Sequence, residues 1–211
     1  MEWKQIPLGL LQTNCYVLYN QQRNCIIFDP GAEGDKLIAF LAKEELQPQA
    51  VLLTHAHFDH IGAVEEIRKA YNVPVYVHEK EASWLTDPSL NGSQLFLNGR
   101  SIVASPADIL LNEEGEMSIG EFTFEIFETP GHSPGSVSFY VKDINTVFAG
   151  DTLFQGSIGR TDLPGGSHEQ LLNSIEEKLL TLPAETKVLP GHGPVTNIEN
   201  EIKFNPFLNG Y

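Results

Sequence analysis

The chain of 211 residues carries a formal net charge of −15, and 41% of its residues are hydrophobic. This composition suits a protein with a buried core and excludes a disordered chain. The excess of Asp and Glu disfavours nucleic acid and anionic membranes as partners. No apolar run reaches the roughly 18 residues needed to cross a bilayer, and no secretory signal is visible. The two cysteines, Cys15 and Cys25, exclude a disulfide scaffold and favour a reduced, cytoplasmic protein.

The first half of the chain is predicted to alternate strands and helices. Apolar runs bounded by turn residues predict strands over residues 14–19, 24–28, 50–54 and 75–77. A helical period of apolar residues predicts helices over residues 35–46, 61–71 and 79–86. The turn-rich stretch 87–107 is then a long surface excursion that could form a wall or a lid.

The second half is predicted to begin with strands. The stretch MSIGEFTFEIFET predicts a hairpin that turns at Gly120 and Glu121. Further strands are predicted over 136–141, 146–149 and 187–189, with a helix over 168–181 and a last helical turn or two over 196–203. Strands followed by helices in each half favour an αβ/βα sandwich. The apolar tail residues Phe207, Leu208 and Tyr211 are expected to dock on their own domain or on a partner.

The stretch THAHFDH gathers four metal-binding side chains at the end of a predicted buried strand. His55, His57, Asp59 and His60 lie within six residues, between two apolar segments. A solvated polar loop would account for one histidine, but not for three histidines and a carboxylate in such a setting. Imidazole and carboxylate ligands suit zinc, iron or manganese better than calcium or magnesium.

Three more ligand-type residues follow predicted strands later in the chain. His132 lies in PGHSPGS, Asp151 in GDTLF and His192 in PGHGP, each beside glycine. Glycine lets the backbone turn tightly and approach a site closely. Each residue alone is better explained as a turn residue, but the set indicates a metal site.

These motifs, in this order, resemble the metal signature of the metallo-β-lactamase-fold hydrolases. The run GDTLFQGSIGRTDLPGG is particularly similar to short, single-domain members of the glyoxalase II-like (hydroxyacylglutathione hydrolase-like) group. The resemblance implies an α/β protein with a four-layer αβ/βα sandwich, and one domain over residues 1–211. It also implies that the C-terminal helical substrate domain of full-length glyoxalase II is missing.

The resemblance also implies a ligand set. His55, His57 and His132 would hold one metal ion, Asp59, His60 and His192 a second, and Asp151 both; Asp59 and Asp151 are the expected catalytic carboxylates. Two divalent ions are expected, with zinc favoured and iron or manganese as alternatives. Two carboxylates leave such a pair of ions with net positive charge, which favours a bridging hydroxide and an electron-rich substrate.

The implied activity is hydrolysis of a small-molecule thioester or related ester by attack of that hydroxide on the carbonyl. Because the chain ends nineteen residues after His192, the resemblance does not imply a glutathione pocket. The alternative is a persulfide dioxygenase with one iron at His55, His132 and Asp151. A lactonase and a nuclease are weaker alternatives, the nuclease because of the acidic charge. The sequence does not predict the oligomeric state.

The remaining candidates divide into one substrate residue and several structural ones. Arg160 lies nine residues after Asp151 and could bind a substrate carboxylate through two hydrogen bonds. Its structural alternative is an ion pair with Asp162 or with Asp29. His78 and His168 match no ligand motif and are interpreted as structural, and both cysteines as buried thiols.

Overall fold

The computed structural model describes residues 1–209. Cα packing divides the chain into two compact units, and we call Met1–Asn112 the first unit and the part from Glu113 onwards the second unit. The prediction of one domain over the whole chain is not tested by this division. Within residues 1–209, no helix is long and apolar enough to cross a membrane.

The first unit contains a six-stranded sheet within the described residues. Its strands are β1 (Glu2–Leu8), β2 (Thr13–Tyr19), β3 (Asn24–Phe28), β4 (Gln47–Leu52), β5 (Val75–His78) and β6 (Ile109–Leu111). Its helices are α1 (Gly34–Lys43), α2 (Phe58–Ile61), α3 (Val64–Tyr71) and α4 (Ser93–Phe96), with a 3₁₀ helix over Glu79–Leu85.

The direction of the strands places the candidate ligands of this unit at one edge of its sheet. Strands β1 to β3 are antiparallel, whereas β3, β4, β5 and β6 are parallel neighbours. Parallel neighbours end at the same edge. Asp29 follows β3, and the Glu79–Leu85 helix follows β5. Residues 53–60 follow β4 and include the first residues of α2; we call them the histidine loop.

One apolar core anchors these strands. Leu37 and Leu41 of α1 and Ile67 of α3 pack with Ile27 of β3 and Val51 of β4, and all five side chains are fully buried. Such burial contributes about 1.5–3 kcal/mol for each Leu, Ile or Val. The loops that follow β3 and β4 therefore begin on rigid elements.

The second unit contains another six-stranded sheet, in the order β14-β13-β10-β9-β8-β7, within the described residues. Its strands are β7 (Gly115–Ile119), β8 (Phe122–Glu128), β9 (Val137–Val141), β10 (Thr146–Gly150), β13 (Lys187–Pro190) and β14 (Thr196–Asn197), with a separate hairpin of β11 (Leu153–Phe154) and β12 (Ser157–Ile158). Its helices are α5 (His168–Ser174), which continues as a π-helical turn over Ile175–Leu179, and α6 (Ile198–Phe204), with a short 3₁₀ turn over Lys142–Ile144.

The sheet of the second unit likewise gathers its ligand candidates at one edge. Strand β9 is antiparallel to both β8 and β10, and β10 is parallel to β13. Strands β8, β10 and β13 therefore run in the same direction. His132, Asp151 and His192 lie in the segments that follow these three strands. Leu171, Ile175 and Ile198 pack against Val147 and Val188 and hold the sheet in place.

Most predicted elements are confirmed, with shifted ends. The helix predicted over 61–71 is wrong at its start, because α2 and α3 are separate helices that flank Gly62. A Cβ at Gly62 would lie 2.2 Å from the carbonyl oxygen of Gly31, so a close backbone contact fixes the break. The helix predicted over 35–46 ends at Lys43, and Glu45 adopts a φ of 55°.

The sequence analysis does not predict strands β1, β6, β11, β12 and β14. Strand β1 is an edge strand with only two buried residues, and the other four have only two or three residues. Strand β14 occupies the first two positions of the helix predicted over 196–203, which starts instead at Ile198. In the tail, Leu208 packs against the core of the second unit, while Phe207 is 48% exposed. Tyr211 lies outside the described residues.

Candidate metal centre

Asp29 forms hydrogen bonds near both ends of the histidine loop. This residue is 2% exposed and has a φ of 47°. Its Oδ1 accepts the backbone N–H of Thr54 at 2.8 Å, and its Oδ2 accepts the Thr54 hydroxyl at 2.6 Å. The same Oδ2 lies 3.0 Å from Nδ1 of His60. A buried carboxylate shared by these donors sets both the start of the loop and the orientation of its last histidine.

The three imidazoles of this loop are buried and face one another. The ring centroids of His55 and His57 are 4.8 Å apart, and those of His55 and His60 are 4.0 Å apart. In each pair, a ring nitrogen of one residue lies within 4.8 Å of a ring nitrogen of the other. Because Nδ1 of His60 bonds to Asp29, its Nε2 is the nitrogen that can bind a metal ion.

Asp59 is positioned by Thr13 at the start of β2 and by Gly31, which follows β3. Its Oδ2 accepts the Thr13 hydroxyl at 2.7 Å and lies 3.6 Å from Nε2 of His60. A Cβ at Gly31 would lie 1.8 Å from the Asp59 carbonyl oxygen, so only glycine allows this approach. The sequence analysis did not identify Thr13, because its contact with Asp59 spans 46 positions of the chain.

The second unit brings its three ligand candidates together around one carboxylate oxygen. Oδ2 of Asp151 lies 3.6 Å from Nε2 of His132 and 3.5 Å from Nε2 of His192. Nδ1 of His132 lies 2.8 Å from the carbonyl oxygen of Arg160. A carbonyl only accepts hydrogen bonds, so Nδ1 carries the proton. In the neutral ring Nε2 then has the lone pair that a metal ion requires.

These spacings fit ligands of a shared metal ion. Two ligands bound at about 2.1 Å in a tetrahedral arrangement lie about 3.4 Å apart. The three imidazole–carboxylate distances between candidate ligands of the same unit are 3.5–3.6 Å, longer than a good hydrogen bond. Neutral imidazoles and carboxylates are the donor set that zinc, iron and manganese prefer. The residues present therefore fit divalent metal ions.

Arg160 contributes through its backbone and pairs its side chain with a neighbour. Its guanidinium donates two hydrogen bonds to Asp162, at 2.7 and 2.8 Å, and both side chains are largely exposed. The hydrogen bonds from Arg160 lower the pKa of Asp162 to about 2. Asp29 bonds instead to Thr54 and His60, which leaves Asp162 as the observed partner of the two structural alternatives. The support that the Arg160 carbonyl gives to His132 was not predicted.

The loop that carries Arg160 is pressed onto the ligand residues. A Cβ at Gly159 would lie 1.8 Å from the Asp151 carbonyl oxygen and 3.2 Å from Cβ of His132. Gly159 thus makes the same approach to Asp151 that Gly31 makes to Asp59. In both units a glycine lets a neighbouring loop pack directly against the backbone of a candidate ligand, Asp59 or Asp151.

The other histidines and the cysteines are structural in this geometry. His78 is buried at the end of β5, where its Nδ1 accepts the backbone N–H of Lys80 at 3.2 Å. His168 is exposed at the first residue of α5. Both thiols are fully buried. Burial raises the pKa of the Cys15 thiol well above its usual value, and it raises the pKa of the Cys25 thiol to about 12. Neither thiol is therefore a ready thiolate ligand or nucleophile.

The excursion over residues 87–107 is fastened to the histidine loop. Asn91 is fully buried and donates to the carbonyls of Trp84 and Ile102, each at 2.9 Å. The Asn91 carbonyl accepts the backbone N–H of Phe58 at 3.0 Å, and the Phe58 ring stacks on Phe96 of α4 at 6.0 Å. The excursion therefore flanks the loop that carries the histidines.

A sequence model of the Metallo-beta-lactamase superfamily matches residues 8–192. The chain belongs to the metallo-β-lactamase superfamily. A probable metallo-hydrolase of Bacillus subtilis, YqgX, is 55% identical over 100% of this chain and 99% of its own length. The hydroxyacylglutathione hydrolase GloC of Haemophilus influenzae is 38% identical over 97% of this chain and 96% of its own length.

Solved structures show that the chain has the metallo-β-lactamase fold. The B3 metallo-β-lactamase BLEG-1 is 56% identical, with a TM-score of 0.97 over 99% of this chain and 100% of that one. The protein TTHA1623, determined in a di-iron-bound form, is 41% identical, with a TM-score of 0.86 over 97% and 100%. ETHE1 of Myxococcus xanthus is 30% identical, with a TM-score of 0.80 over 98% and 84%. Family membership and the histidine–aspartate clusters support a metal-dependent hydrolase that uses divalent metal ions.

Proposed function

We propose that this protein is a dinuclear metal-dependent hydrolase of small-molecule thioesters. His55, His57 and His132 would hold one metal ion, and Asp59, His60 and His192 the other, with Asp151 binding both. This assignment is supported by the order of the ligand motifs and by the imidazole–carboxylate distances of 3.5–3.6 Å inside each unit. The metals are proposed to be zinc, with iron or manganese as alternatives.

Bound divalent ions supply a hydroxide at neutral pH and polarise a carbonyl oxygen. The chain's own residues prepare the site for them. Asp29 orients His60, the Thr13 hydroxyl orients Asp59, and the carbonyl of Arg160 orients His132 by accepting a hydrogen bond from its Nδ1. Because these contacts involve buried or half-buried groups, little reorganisation is needed when metal binds.

A thioester fits a site that offers no separate general acid. A thiol has a pKa near 8.5 and leaves as a thiolate with little protonation, whereas an alkoxide needs a proton donor. Among the described residues, His78, His168 and the two cysteines were interpreted above as structural, so they are not assigned the role of general acid. The similarity to the hydroxyacylglutathione hydrolase GloC over 97% of this chain is the observation that carries the thioester proposal. The thiol part of the substrate is left open.

The test combines metal content with a substrate panel. Protein purified without added metal is analysed for zinc, iron and manganese, then assayed with thioesters, lactones and a persulfide. We expect two ions per chain and the highest kcat/KM on thioesters. Asp59→Ala is expected to lower second-metal occupancy and hydrolysis together, whereas Asp35→Ala, at an exposed carboxylate of α1, should change neither. Full turnover by Asp59→Ala would contradict a two-metal mechanism.

The second candidate is a persulfide dioxygenase with one iron at His55, His132 and Asp151. The structural similarity to ETHE1 and to a protein that binds two irons favours keeping it. It predicts one iron per chain and oxygen uptake with a persulfide, without thioester hydrolysis. The same panel therefore separates the two functions.

A further inference from the structure

The 3₁₀ helix Glu79–Leu85 places a buried carboxylate against the histidine loop. Glu81 is fully buried, and its Oε2 accepts the backbone N–H of Ala56 at 2.6 Å. Ala56 is the single residue between His55 and His57. We propose that Glu81 is a positioning residue that sets the relative placement of these two histidines, and so the affinity of the metal ion that they hold. This inference rests on the proposed function for the assignment of both histidines to one metal.

The same helix also supports the ring of His57. Trp84 lies one 3₁₀ turn after Glu81, so both side chains lie on one face of the helix. The Trp84 ring centroid is 5.4 Å from that of His57, and the rings are inclined by 42°. Trp84 is 6% exposed, and its carbonyl is tied to Asn91. The helix thus fixes the backbone between the two histidines and one of their rings.

A strong acceptor is needed at this position because the loop has left its strand. Strand β4 ends at Leu52 and α2 begins at Phe58, so Ala56 lies outside both hydrogen-bonding ladders. A buried N–H without an acceptor costs about 1–3 kcal/mol. Burying a carboxylate is also costly unless it forms strong hydrogen bonds. The 2.6 Å bond to Ala56 therefore marks a contact that constrains the loop.

Thr13 provides a comparison, because it contacts Asp59, a ligand of the other proposed metal ion. Its hydroxyl donates to Oδ2 of Asp59 at 2.7 Å, whereas Glu81 acts on the backbone between His55 and His57. Removal of the Glu81 contact and removal of the Thr13 contact should each weaken the binding of a different metal ion. A general loss of stability would instead weaken both ions together.

The experiment measures the two zinc affinities of the full chain by competition with chelators of graded strength. His55→Ala and Asp59→Ala show which affinity belongs to which group of ligands. We expect Glu81→Leu to weaken the affinity assigned to His55 by about 10–100-fold and the affinity assigned to Asp59 by less than about threefold. Thr13→Val, which removes only the hydroxyl function at similar volume, should show the reverse pattern.

Equal weakening of both affinities, or no weakening, in a folded Glu81→Leu variant would overturn the inference. If that variant does not fold, Glu81→Gln decides, because Gln offers a weaker, neutral acceptor at similar size. It should weaken the His55 affinity by about three- to tenfold, and an unchanged affinity counts against Glu81. If the unsubstituted chain binds one ion, the two-metal function fails, and Glu81 is then judged on that ion alone.

Discussion

The two units supply their proposed metal ligands in different ways. In the first unit four candidate ligands lie in one six-residue segment, and Asp29 and Glu81 accept hydrogen bonds from the backbone of Thr54, just before it, and of Ala56, within it. In the second unit three candidate ligands are 19 and 41 positions apart in the chain, and they meet because β8, β10 and β13 end at one edge. Local sequence therefore builds the first cluster, and sheet topology builds the second.

The two clusters also differ in exposure. The His60 side chain is fully buried, whereas that of His192 is 30% exposed. In the second unit, His132 and Asp151 are held in place by backbone atoms, namely the Arg160 carbonyl and the closely packed Gly159. We therefore expect substitutions in the first unit to affect folding as well as metal binding. Removal of a candidate ligand side chain in the second unit should act mainly on metal binding and activity.

The largest effect is expected for Asp151→Ala, because Asp151 is proposed to bind both ions. Thioester kcat/KM should fall by about 1,000-fold, which corresponds to about 4 kcal/mol of lost transition-state stabilisation. The free energy of unfolding of the metal-free chain should change little. Steady-state kinetics and urea unfolding check the two parts. Asp143→Ala, at an exposed carboxylate in the same unit, is the control and should keep full activity.

Asp29→Ala tests the first unit. The free energy of unfolding of the metal-free chain should fall by about 3 kcal/mol, because Thr54 and His60 lose a buried charged acceptor. Asp29→Asn should cost less, because Asn tolerates the positive φ and retains one acceptor oxygen. Urea denaturation measures both. If Asp29→Ala were as stable as the unsubstituted chain, the claim that folding and ligand placement are joined in this unit would be wrong.

A matched pair of glycine substitutions compares the two units directly. Gly31→Ala and Gly159→Ala each place a Cβ 1.8 Å from the carbonyl of a ligand aspartate, and each should cost about 2 kcal/mol of stability. Gly31→Ala should weaken the ion at Asp59, whereas Gly159→Ala should weaken both ions through Asp151. Gly156→Ala is the control for strain without contact with a candidate ligand, because Gly156 has a φ of 65° but its Cβ would meet no atom within 4 Å. Equal metal affinities in all three variants would contradict the pairing of loop and ligand.

The smallest effect is expected for Arg160→Ala. The substitution keeps the backbone carbonyl that supports His132, so metal content should not change, and loss of the exposed ion pair should leave the stability almost unchanged. Steady-state kinetics with two thioesters that differ only in a carboxylate test whether the Arg160 side chain binds substrate. A rise in KM of tenfold or more for the carboxylate-bearing substrate alone would instead assign the guanidinium to substrate binding.

The same variant has a signature in the titration of Asp162. Hydrogen bonds from Arg160 hold the pKa of this carboxyl at about 2, below its ordinary value of 3.8. A lowered folded-state pKa stabilises the pair above pH 3.8, and that contribution is lost as the pH falls towards 2. In Arg160→Ala the carboxyl should titrate near 3.8, which NMR can follow. A value that stays near 2 would mean that Arg160 is not the cause.

The sequence predicts the parts of the molecule in which local pattern and structure agree. The hairpin at Gly120 and Glu121 is confirmed, because alternating apolar residues report a strand with one buried face. The rings of His55, His57 and His60 lie close together in the structure, as expected for residues so near in sequence, and their role as metal ligands stays a prediction.

The supporting contacts could not be predicted, because they join residues far apart in the chain. Thr13 meets Asp59 across 46 positions, and Glu81 meets Ala56 across 25. No local pattern marks a threonine or glutamate that bonds so distantly. The short strands β6, β11 and β12 were missed because two or three residues carry no period.

The most direct test of the two-metal proposal is a crystal structure of the zinc-loaded chain with anomalous scattering recorded at the zinc edge. The account predicts two anomalous peaks about 3.5–4 Å apart. One should contact His55, His57, His132 and Asp151, and the other Asp59, His60, His192 and Asp151. A single peak, or two peaks that share no Asp151 oxygen, would contradict it.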